Sequence, residues 1–208
     1  MTDGPVVYVI DDDASFRRAV SRLLRSAGLA VETLASAEEF LERSVVDRPS
    51  CLVLDVRMPG SSGMDLQTAL QEARRDIPII FMTGHGDVST GVRAMKGGAV
   101  DFLEKPFRGR ELLACVQRGL ARSRQSRVER AERAAVERRF ATLTSRERDV
   151  LRLVVTGMLN KQIAGELGIA EQTVKIHRGH VTQKMEAGSV AELIQMIGKL
   201  GPPASRLS

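Results

Sequence analysis

The sequence predicts a doubly wound α/β domain with a five-stranded parallel sheet, then a long linker helix, then a small all-α domain of four helices. Three observations carry this prediction. Short apolar runs alternate with helical patterns early in the chain, a charged segment without proline or glycine follows, and only helical patterns come after it. The expected bounds are 1–121 for the first domain, 122–141 for a linker continuous with its fifth helix, and 142–208 for the second domain.

Five apolar runs predict the strands of the sheet. They lack strict polar alternation, as expected for parallel strands that are covered on both faces. The predicted strands are Val6–Ile10, Ala30–Leu34, Cys51–Leu54, Ile77–Met82 and Val100–Leu103, and the predicted helices lie near 14–27, 36–44, 63–73, 87–97 and 107–121. Alternating strands and helices over this length favour a doubly wound arrangement.

Composition excludes several classes of protein. Hydrophobic residues make up 43% of the chain, which is enough for packed cores, while aromatic residues make up only 3%, so the cores must be aliphatic. No apolar run approaches the roughly 20 residues that span a bilayer, and no signal peptide is evident, so we expect a cytoplasmic bacterial protein without a membrane partner. The two cysteines, Cys51 and Cys115, are expected to be buried thiols.

The net charge of +5 is unevenly distributed. Residues 1–120 contain 15 basic and 17 acidic residues, whereas residues 121–208 contain 16 and 9. A basic second half suggests that this half alone meets a polyanion, although a basic surface can also be merely solvated.

Capping signals predict the helices of the second half. Thr144 to Glu147 has the form of a capping box for a helix that stops at Gly157, and Asn160 is expected to cap a helix over 161–167. A third helix is expected over 171–185, and a second capping box, Ser189 to Glu192, opens a last helix. The segment 122–139 is expected to be an exposed, charged extension of the fifth helix.

Polar side chains follow several of the predicted strands. Asp11 and Asp12 end the first strand, Asp55 the third, Thr83 the fourth and Lys105 the fifth. Because ligands bind at the carboxyl ends of strands in open α/β sheets, these side chains are expected to converge. Three carboxylates would repel one another unless a hard cation such as Mg²⁺ lies among them, and a carboxylate can also attack phosphorus. The acidic run could instead only start a helix, with Asp13 as its cap.

In these features the sequence resembles the receiver domain of bacterial two-component response regulators. The resemblance covers about residues 5–121 and includes the acidic pair Asp11-Asp12, the loop from Asp55 through Met58-Pro59 to Gly63, the pair Thr83-Gly84, Phe102, and Lys105 followed by a proline expected to be cis. Residues 84–87 and 101–107 look most like the NarL/FixJ group.

The resemblance implies a mechanism. A sensor histidine kinase would phosphorylate Asp55, with Mg²⁺ held by Asp11, Asp12, Asp55 and the carbonyl of Arg57. Thr83 and Lys105 would bind the phosphoryl oxygens, and Phe102 would turn inward as the switch residue. The surface of the fourth helix, fifth strand and fifth helix would then favour a homodimer. Arg57 and His85 flank the site and are candidates for tuning a slow autodephosphorylation; the chain is not expected to be a turnover enzyme.

The predicted helices 161–167 and 171–185 form a helix-turn-helix pattern, whose second helix enters the major groove of double-stranded DNA. Residues 142–197 resemble a LuxR-type DNA-binding domain. By that resemblance, Lys175 and Ile176 face base edges, and backbone contacts come from Lys161, Thr173, Arg178 and Lys184. Two departures are Ala170, where a serine cap is common, and Gly179, which cannot read bases with a side chain. Such domains pair on two-fold DNA sites through the last helix, and RNA polymerase is a further candidate partner.

Two other functions stay open at this stage. One is a haloacid-dehalogenase-type phosphatase, because the segment from Val7 to Ser15 crudely mimics its nucleophile motif. It would leave Asp55 and Met58-Pro59 unexplained. The other is a phosphorelay or protein-interaction module without DNA binding, against which the basic second half argues.

Overall fold

The computed structural model describes residues 4–43, 47–84 and 88–200. The chain divides into two compact units, Met1–Arg127 and Val128–Ser208, which we describe separately. Within the described residues, no helix is both long and apolar enough to cross a membrane.

The first unit contains the predicted five-stranded parallel sheet. Its strands are β1 (Val6–Ile10), β2 (Ala30–Leu34), β3 (Ser50–Asp55), β4 (Ile79–Thr83) and β5 (Asp101–Glu104). Their order is β2-β1-β3-β4-β5, with all neighbours parallel. The chain goes from β1 to β2 on one side and then continues through β3, β4 and β5 on the other side of β1. The sheet is therefore doubly wound, as predicted.

Five helices follow the strands in turn, and they are α1 (Ala14–Ser26), α2 (Ala37–Leu41), α3 (Gly63–Glu72), α4 (Val88–Lys96) and α5 (Gly109–Ala141). Asp13 caps α1 as expected, because its carboxylate accepts hydrogen bonds from the amides of Ser15 and Phe16. The edges of β4 and α2 differ from the predicted ones by a few residues, which is usual where a chain leaves regular structure.

Alternate residues of each strand face opposite sides of the sheet and fill two hydrophobic cores, which contain aromatic residues such as Phe40 and Phe81 as well as aliphatic ones. Val6, Tyr8 and Ile10 pack with residues of α2, α3 and α4, whereas Val7 and Val9 pack with residues of α1 and α5. The free thiols of Cys51 and Cys115 are both buried in the second of these cores, as predicted.

Helix α5 continues without a break through the charged segment to Ala141, in agreement with the prediction of one long helix. Helix α5 still contacts the sheet beyond residue 121, the expected end of the first domain. Ser123 is buried, and its hydroxyl accepts a hydrogen bond of 3.0 Å from the amide of Ser50 at the start of β3.

The second unit contains the end of α5 and the helices α6 (Ser145–Val155), α7 (Asn160–Leu167), α8 (Glu171–Met185) and α9 (Val190–Lys199). Val136 is buried and Phe140 is partly buried against the core of this unit, so the end of α5 is not simply a solvated spacer. Val128 of α5 is 53% exposed, as expected for the charged extension of this helix.

Only some of the helix caps that the sequence predicts are found in the structure. Thr144 and Glu147 form the predicted capping box of α6. Asn160 is not the cap of α7: the cap is Leu159, and Asn160 is the first helical residue. Ser189 caps α9, but the carboxylate of Glu192 accepts from the amide of Gly188, so the second box does not close as predicted.

Candidate functional site

The carboxyl edge of the sheet brings together the acidic residues that the sequence singled out. Asp11 follows β1 and is 1% exposed, Asp55 ends β3 and is 8% exposed, and Asp12 is exposed. One side-chain oxygen from each of the three lies within 4.8 Å of the other two. The parallel register explains this convergence, because it pairs Ile10 with Leu54 and so brings the next residues, Asp11 and Asp55, to the same edge of the sheet.

Lys105 reaches into the same cluster from the loop after β5. Its Nζ lies 2.7 Å from Oδ2 of Asp11 and 3.4 Å from Oδ1 of Asp55. The ammonium also lies over the ring of Phe16, 4.0 Å from the centroid. The backbone amide of Lys105 donates to the carbonyl of Thr83 at 2.7 Å, which fixes the loop against the end of β4.

The environment of Asp55 disfavours its charged form. Burial raises the pKa of this carboxyl above its ordinary value, and the nearby carboxylate of Asp11 acts in the same direction, while Lys105 opposes both. The ionised Asp55 therefore depends on cations close to it. Lys105 supplies one, and the shared carboxylate cluster offers room for another.

Glycine is required where the loop after Asp55 turns into α3. A Cβ atom on Gly63 would lie 2.2 Å from the carbonyl oxygen of Asp55, a distance that atoms cannot adopt. The amide of Gly63 donates to the carbonyl of Val56 at 3.1 Å, and the amide of Val56 donates to the carbonyl of Met82. These bonds hold the backbone at Asp55 close to the start of α3.

The donor set suits a hard divalent cation. Carboxylate oxygens are the ligands that Mg²⁺ prefers, and Asp11, Asp12 and Asp55 form the one cluster of His, Cys, Asp or Glu within the described ranges that could hold a metal ion. Arg57 is exposed two residues after Asp55, and its carbonyl as a further ligand stays a prediction.

The predicted switch residues lie on β4 and β5. Thr83 ends β4 and is 3% exposed, and Phe102 on β5 is partly buried against the core shared with α4. A Cβ on Gly91 of α4 would lie 3.6 Å from the Phe102 ring, an ordinary van der Waals distance, so α4 packs beside this ring. His85, a candidate for flanking the site, lies outside the described residues.

In the second unit, α7 and α8 form the predicted helix pair. Lys161 and Lys175 are exposed, and Ile176 is an apolar side chain with 50% exposure. Thr173 is half-buried. Ala170 caps α8 without any side-chain hydrogen bond, as expected from the missing serine.

Two of the predicted phosphate contacts are already engaged within the domain. Arg178 donates to Oδ1 of Asn160 at 2.7 Å, which ties α8 to the start of α7. Lys184 donates to Oε2 of Glu147 at 2.6 Å, and His180 lies 3.5 Å from the other oxygen of that carboxylate. Arg178 and Lys184 therefore hold helices of the domain in position, a role separate from their predicted contacts with DNA phosphates.

Glu147 was expected only as part of a capping box. It is 3% exposed, and burial alone would raise its pKa, but hydrogen bonds from Lys184 and Thr144 lower the pKa to about 2. Sequence reasoning missed this ion pair because 37 residues separate the partners and no local pattern joins them.

Comparison with known families matches both units of the chain. Residues 7–117 match the response regulator receiver domain, and residues 141–197 match the luxR family of bacterial regulatory proteins. The matches give no support to a phosphatase or to a module without a DNA-binding domain.

Similar proteins span nearly the whole chain. Nodulation protein W of Bradyrhizobium diazoefficiens is 53% identical over 200 residues, covering 96% of this chain and 88% of that protein. The response regulator TodT of Pseudomonas putida is 44% identical, covering 94% and 86%. The solved structure of the response regulator StyR is 48% identical, covers 94% of this chain and 99% of its own, and has a TM-score of 0.81. The chain therefore belongs to the two-component response regulators of the NarL/FixJ type, transcriptional regulators that join a receiver domain to a luxR-family DNA-binding domain.

Proposed function

We infer that Asp55 is the phospho-acceptor of this regulator and that a sensor histidine kinase is the donor. The single observation that supports this most strongly is the geometry of the carboxyl edge, where Asp55 shares an oxygen cluster with Asp11 and Asp12 and lies 3.4 Å from the ammonium of Lys105. This arrangement provides a nucleophile together with the positive charge that its reaction needs.

In the transfer step, a carboxylate oxygen of Asp55 attacks the phosphorus, and the bond from phosphorus to the kinase histidine nitrogen breaks. The nitrogen keeps the electron pair of that bond. Asp11, Asp12 and Asp55, with the carbonyl of Arg57, would hold Mg²⁺, which when bound neutralises charge on the phosphoryl oxygens. Slow attack of water on the same phosphorus would return Asp55 to its free carboxylate.

The phosphoryl group would be sensed by Thr83 and Lys105. The hydroxyl and the ammonium would each bind a phosphoryl oxygen, so the Lys105 ion pair with Asp11 would be exchanged for one with the new anion. Phe102 would then turn into the space that Thr83 leaves. Catalytic roles are proposed for Asp55, Thr83 and Lys105, and the switch role for Thr83 and Phe102.

Dimerisation of the phosphorylated protein is supported by apolar side chains on two surfaces. On α4, Val92 and Met95 are 48% and 47% exposed. On α9, Val190 and Ile194 are 37% and 47% exposed, while their neighbour Leu193 is buried in the core. Exposed apolar patches of this kind favour association with a second copy, and two-fold pairing would match two-fold DNA sites.

DNA recognition is proposed for α8 and the start of α7. Exposure supports Lys175 and Ile176 as the groups that reach base edges and Lys161 as a phosphate contact. Thr173, Arg178 and Lys184 remain proposed backbone contacts, the last two with the added task of holding helices. The division at 1–121, 122–141 and 142–208, a cytoplasmic location and RNA polymerase as a partner also stay predictions.

Acetyl phosphate labelling tests the acceptor. The full-length protein should gain one phosphoryl group with Mg²⁺ present and shift toward a dimer on a sizing column, whereas Asp55→Asn should do neither. Asp12→Asn should lower the labelling rate at least ten-fold, because one carboxylate of the cation site is lost. Asp76→Asn, at an exposed carboxyl of the same unit, is the matched control and should behave as the parent protein. Full labelling of Asp55→Asn would contradict the assignment.

A further inference from the structure

A cavity of about 390 Å³ lies along α1 and β2, apart from the carboxylate cluster. Four arginines dominate its lining. The lining residues are Ala14, Arg17, Arg18, Ser21, Arg22, Arg25 and Thr33. None of the proposed acceptor, metal or switch residues is among them, so the cavity is a separate feature of the first unit.

Helical spacing places the four guanidinium groups on one face. Arg18, Arg22 and Arg25 are separated by four and three residues, and Arg17 and Arg25 lie on either side of Ser21 at intervals of four. Like charges at these spacings repel each other and disfavour the helix. The repulsion would be relieved by an anion placed among them.

Within the part of the chain that the structure describes, none of the four arginines forms an ion pair, although the exposed carboxylate of Asp13 interacts electrostatically with Arg18. The polar contacts of these arginines are to neutral oxygens: Arg17 donates to the carbonyl of Asp11, Arg25 to the carbonyl of Val31 at 3.0 Å, and Arg18 to Oγ of Ser15 at 2.9 Å. Each guanidinium has five N–H donors, so most of them are still available.

Glu32, the acidic residue of β2, lies on the side of the sheet away from the cavity. Glu32 precedes Thr33, so its side chain projects from the opposite side of the sheet, where it pairs with Arg43 and Arg48. The cavity therefore combines four positive charges with no acid in its lining.

Ser21 provides a second, independent observation. It is 5% exposed and lines the cavity, yet its buried hydroxyl oxygen has no hydrogen-bond partner. Buried polar atoms in folded proteins are nearly always paired, so this unpaired hydroxyl in the cavity wall is a group that a bound ligand can satisfy.

We propose that this cavity binds a small anion with two or three linked phosphate groups. Guanidinium forks bind phosphate oxygens in pairs, and several forks around one space match an anion that carries several charges. A phosphate oxygen can also accept the Ser21 hydroxyl proton. The volume lies in the range of small-molecule sites, which is roughly 300–1,000 Å³.

A site-resolved titration tests the proposal. Nitrogen-15-labelled full-length protein is titrated with inorganic triphosphate in about 0.15 M NaCl, where weak surface attraction is screened. The amide signals of Ser21 and Arg22 should shift to saturation. Arg18→Gln combined with Arg22→Gln should weaken binding at least ten-fold, and Ser21→Ala several-fold. Orthophosphate should bind at least ten-fold more weakly than triphosphate.

The matched control removes two exposed arginines of the same unit that do not line the cavity. Arg93→Gln combined with Arg124→Gln makes the same change in net charge and should keep the affinity of the parent protein. The proposal is overturned if the shifts are confined to α8, if they grow linearly without saturating, or if the control pair loses as much affinity as the cavity pair. Equal binding of orthophosphate would likewise refute a site for linked phosphates.

Discussion

At the scale of single residues, the most constrained position is Gly63. Its Cβ position is occupied by the carbonyl oxygen of Asp55, which the following loop holds in place. The residue that supports the acceptor is thus one without a side chain. The resemblance to receiver domains includes Gly63, but no charge or hydrophobic pattern there conveys the constraint, which arises from two backbones that approach closely.

We therefore predict that Gly63→Ala destabilises the first unit by about 2–4 kcal/mol, because the backbone must shift to admit a methyl group. Urea unfolding followed by the fluorescence of Tyr8 reports on this unit, since Tyr8 is the sole tyrosine and the chain has no tryptophan. Gly4→Ala is the control, because a Cβ there meets nothing within 4 Å. Equal stability of both variants would mean that the loop moves freely.

Glu147 is the second residue whose importance lies in distant partners. Its pKa of about 2 in the folded protein is below the ordinary value of 4.5. A depressed pKa means that the ionised carboxylate stabilises the fold above about pH 4.5, and that this contribution is lost as the pH falls toward 2. The ion pair with Lys184 should therefore persist to lower pH than contacts made by carboxylates with ordinary pKa values.

We expect Glu147→Gln to lower the stability of the second unit by about 1–3 kcal/mol at pH 7, with a smaller difference from the parent protein at pH 3. Thermal unfolding followed through the methyl signals of Val150 and Val181, both buried in this unit, measures the effect. Glu166→Gln, at an exposed carboxyl of α7, should change little at either pH. A difference that does not shrink with acid would argue against the ion pair.

At the scale of elements, α8 starts without a side-chain cap. Ala170 has the extended backbone of a capping residue, but no side-chain oxygen to accept from the first amides of the helix. The proposed recognition helix is therefore weaker at its start than its length suggests. The sequence predicted this directly, because capping depends on local spacing alone.

Ala170→Ser should stabilise the second unit by about 0.5–2 kcal/mol through the hydrogen bond that a serine cap adds. The same thermal unfolding measurement tests it. Ala131→Ser, at an exposed position inside α5, makes the same chemical change away from any helix start and should cost about 0.5 kcal/mol. If both substitutions have the same sign, capping does not limit α8.

Helix α5 serves both units. Ser123 bonds to the start of β3 in the first unit, and Val136 is buried in the core of the second. The sequence indicated a continuous helix because no glycine or proline interrupts 122–139. It did not indicate these contacts, since a single serine or valine among arginines and glutamates gives no periodic signal.

At the scale of the whole molecule, the proposed chemistry and the proposed DNA reading belong to different units. Lys175→Ala should weaken specific DNA binding about ten-fold, as expected for the loss of one good base contact, and leave acetyl phosphate labelling of Asp55 unchanged. Fluorescence anisotropy with an operator fragment, at a stated salt concentration, measures the first effect. Lys96→Ala on α4 removes the same charge from the other unit and should not change DNA affinity. Loss of labelling in Lys175→Ala would contradict the separation of the two activities.

The sequence by itself determined the fold class, the strand and helix order and the identity of the acidic cluster. These follow from local periodicity, capping and the rule that parallel strands end at one edge of the sheet. Only the tertiary structure decided what depends on approach between distant segments. It placed the carbonyl of Asp55 against Gly63, Lys184 against Glu147, and four arginines in the lining of the same cavity as Ser21. Such contacts join residues through space, and a one-dimensional pattern records only the spacing along the chain.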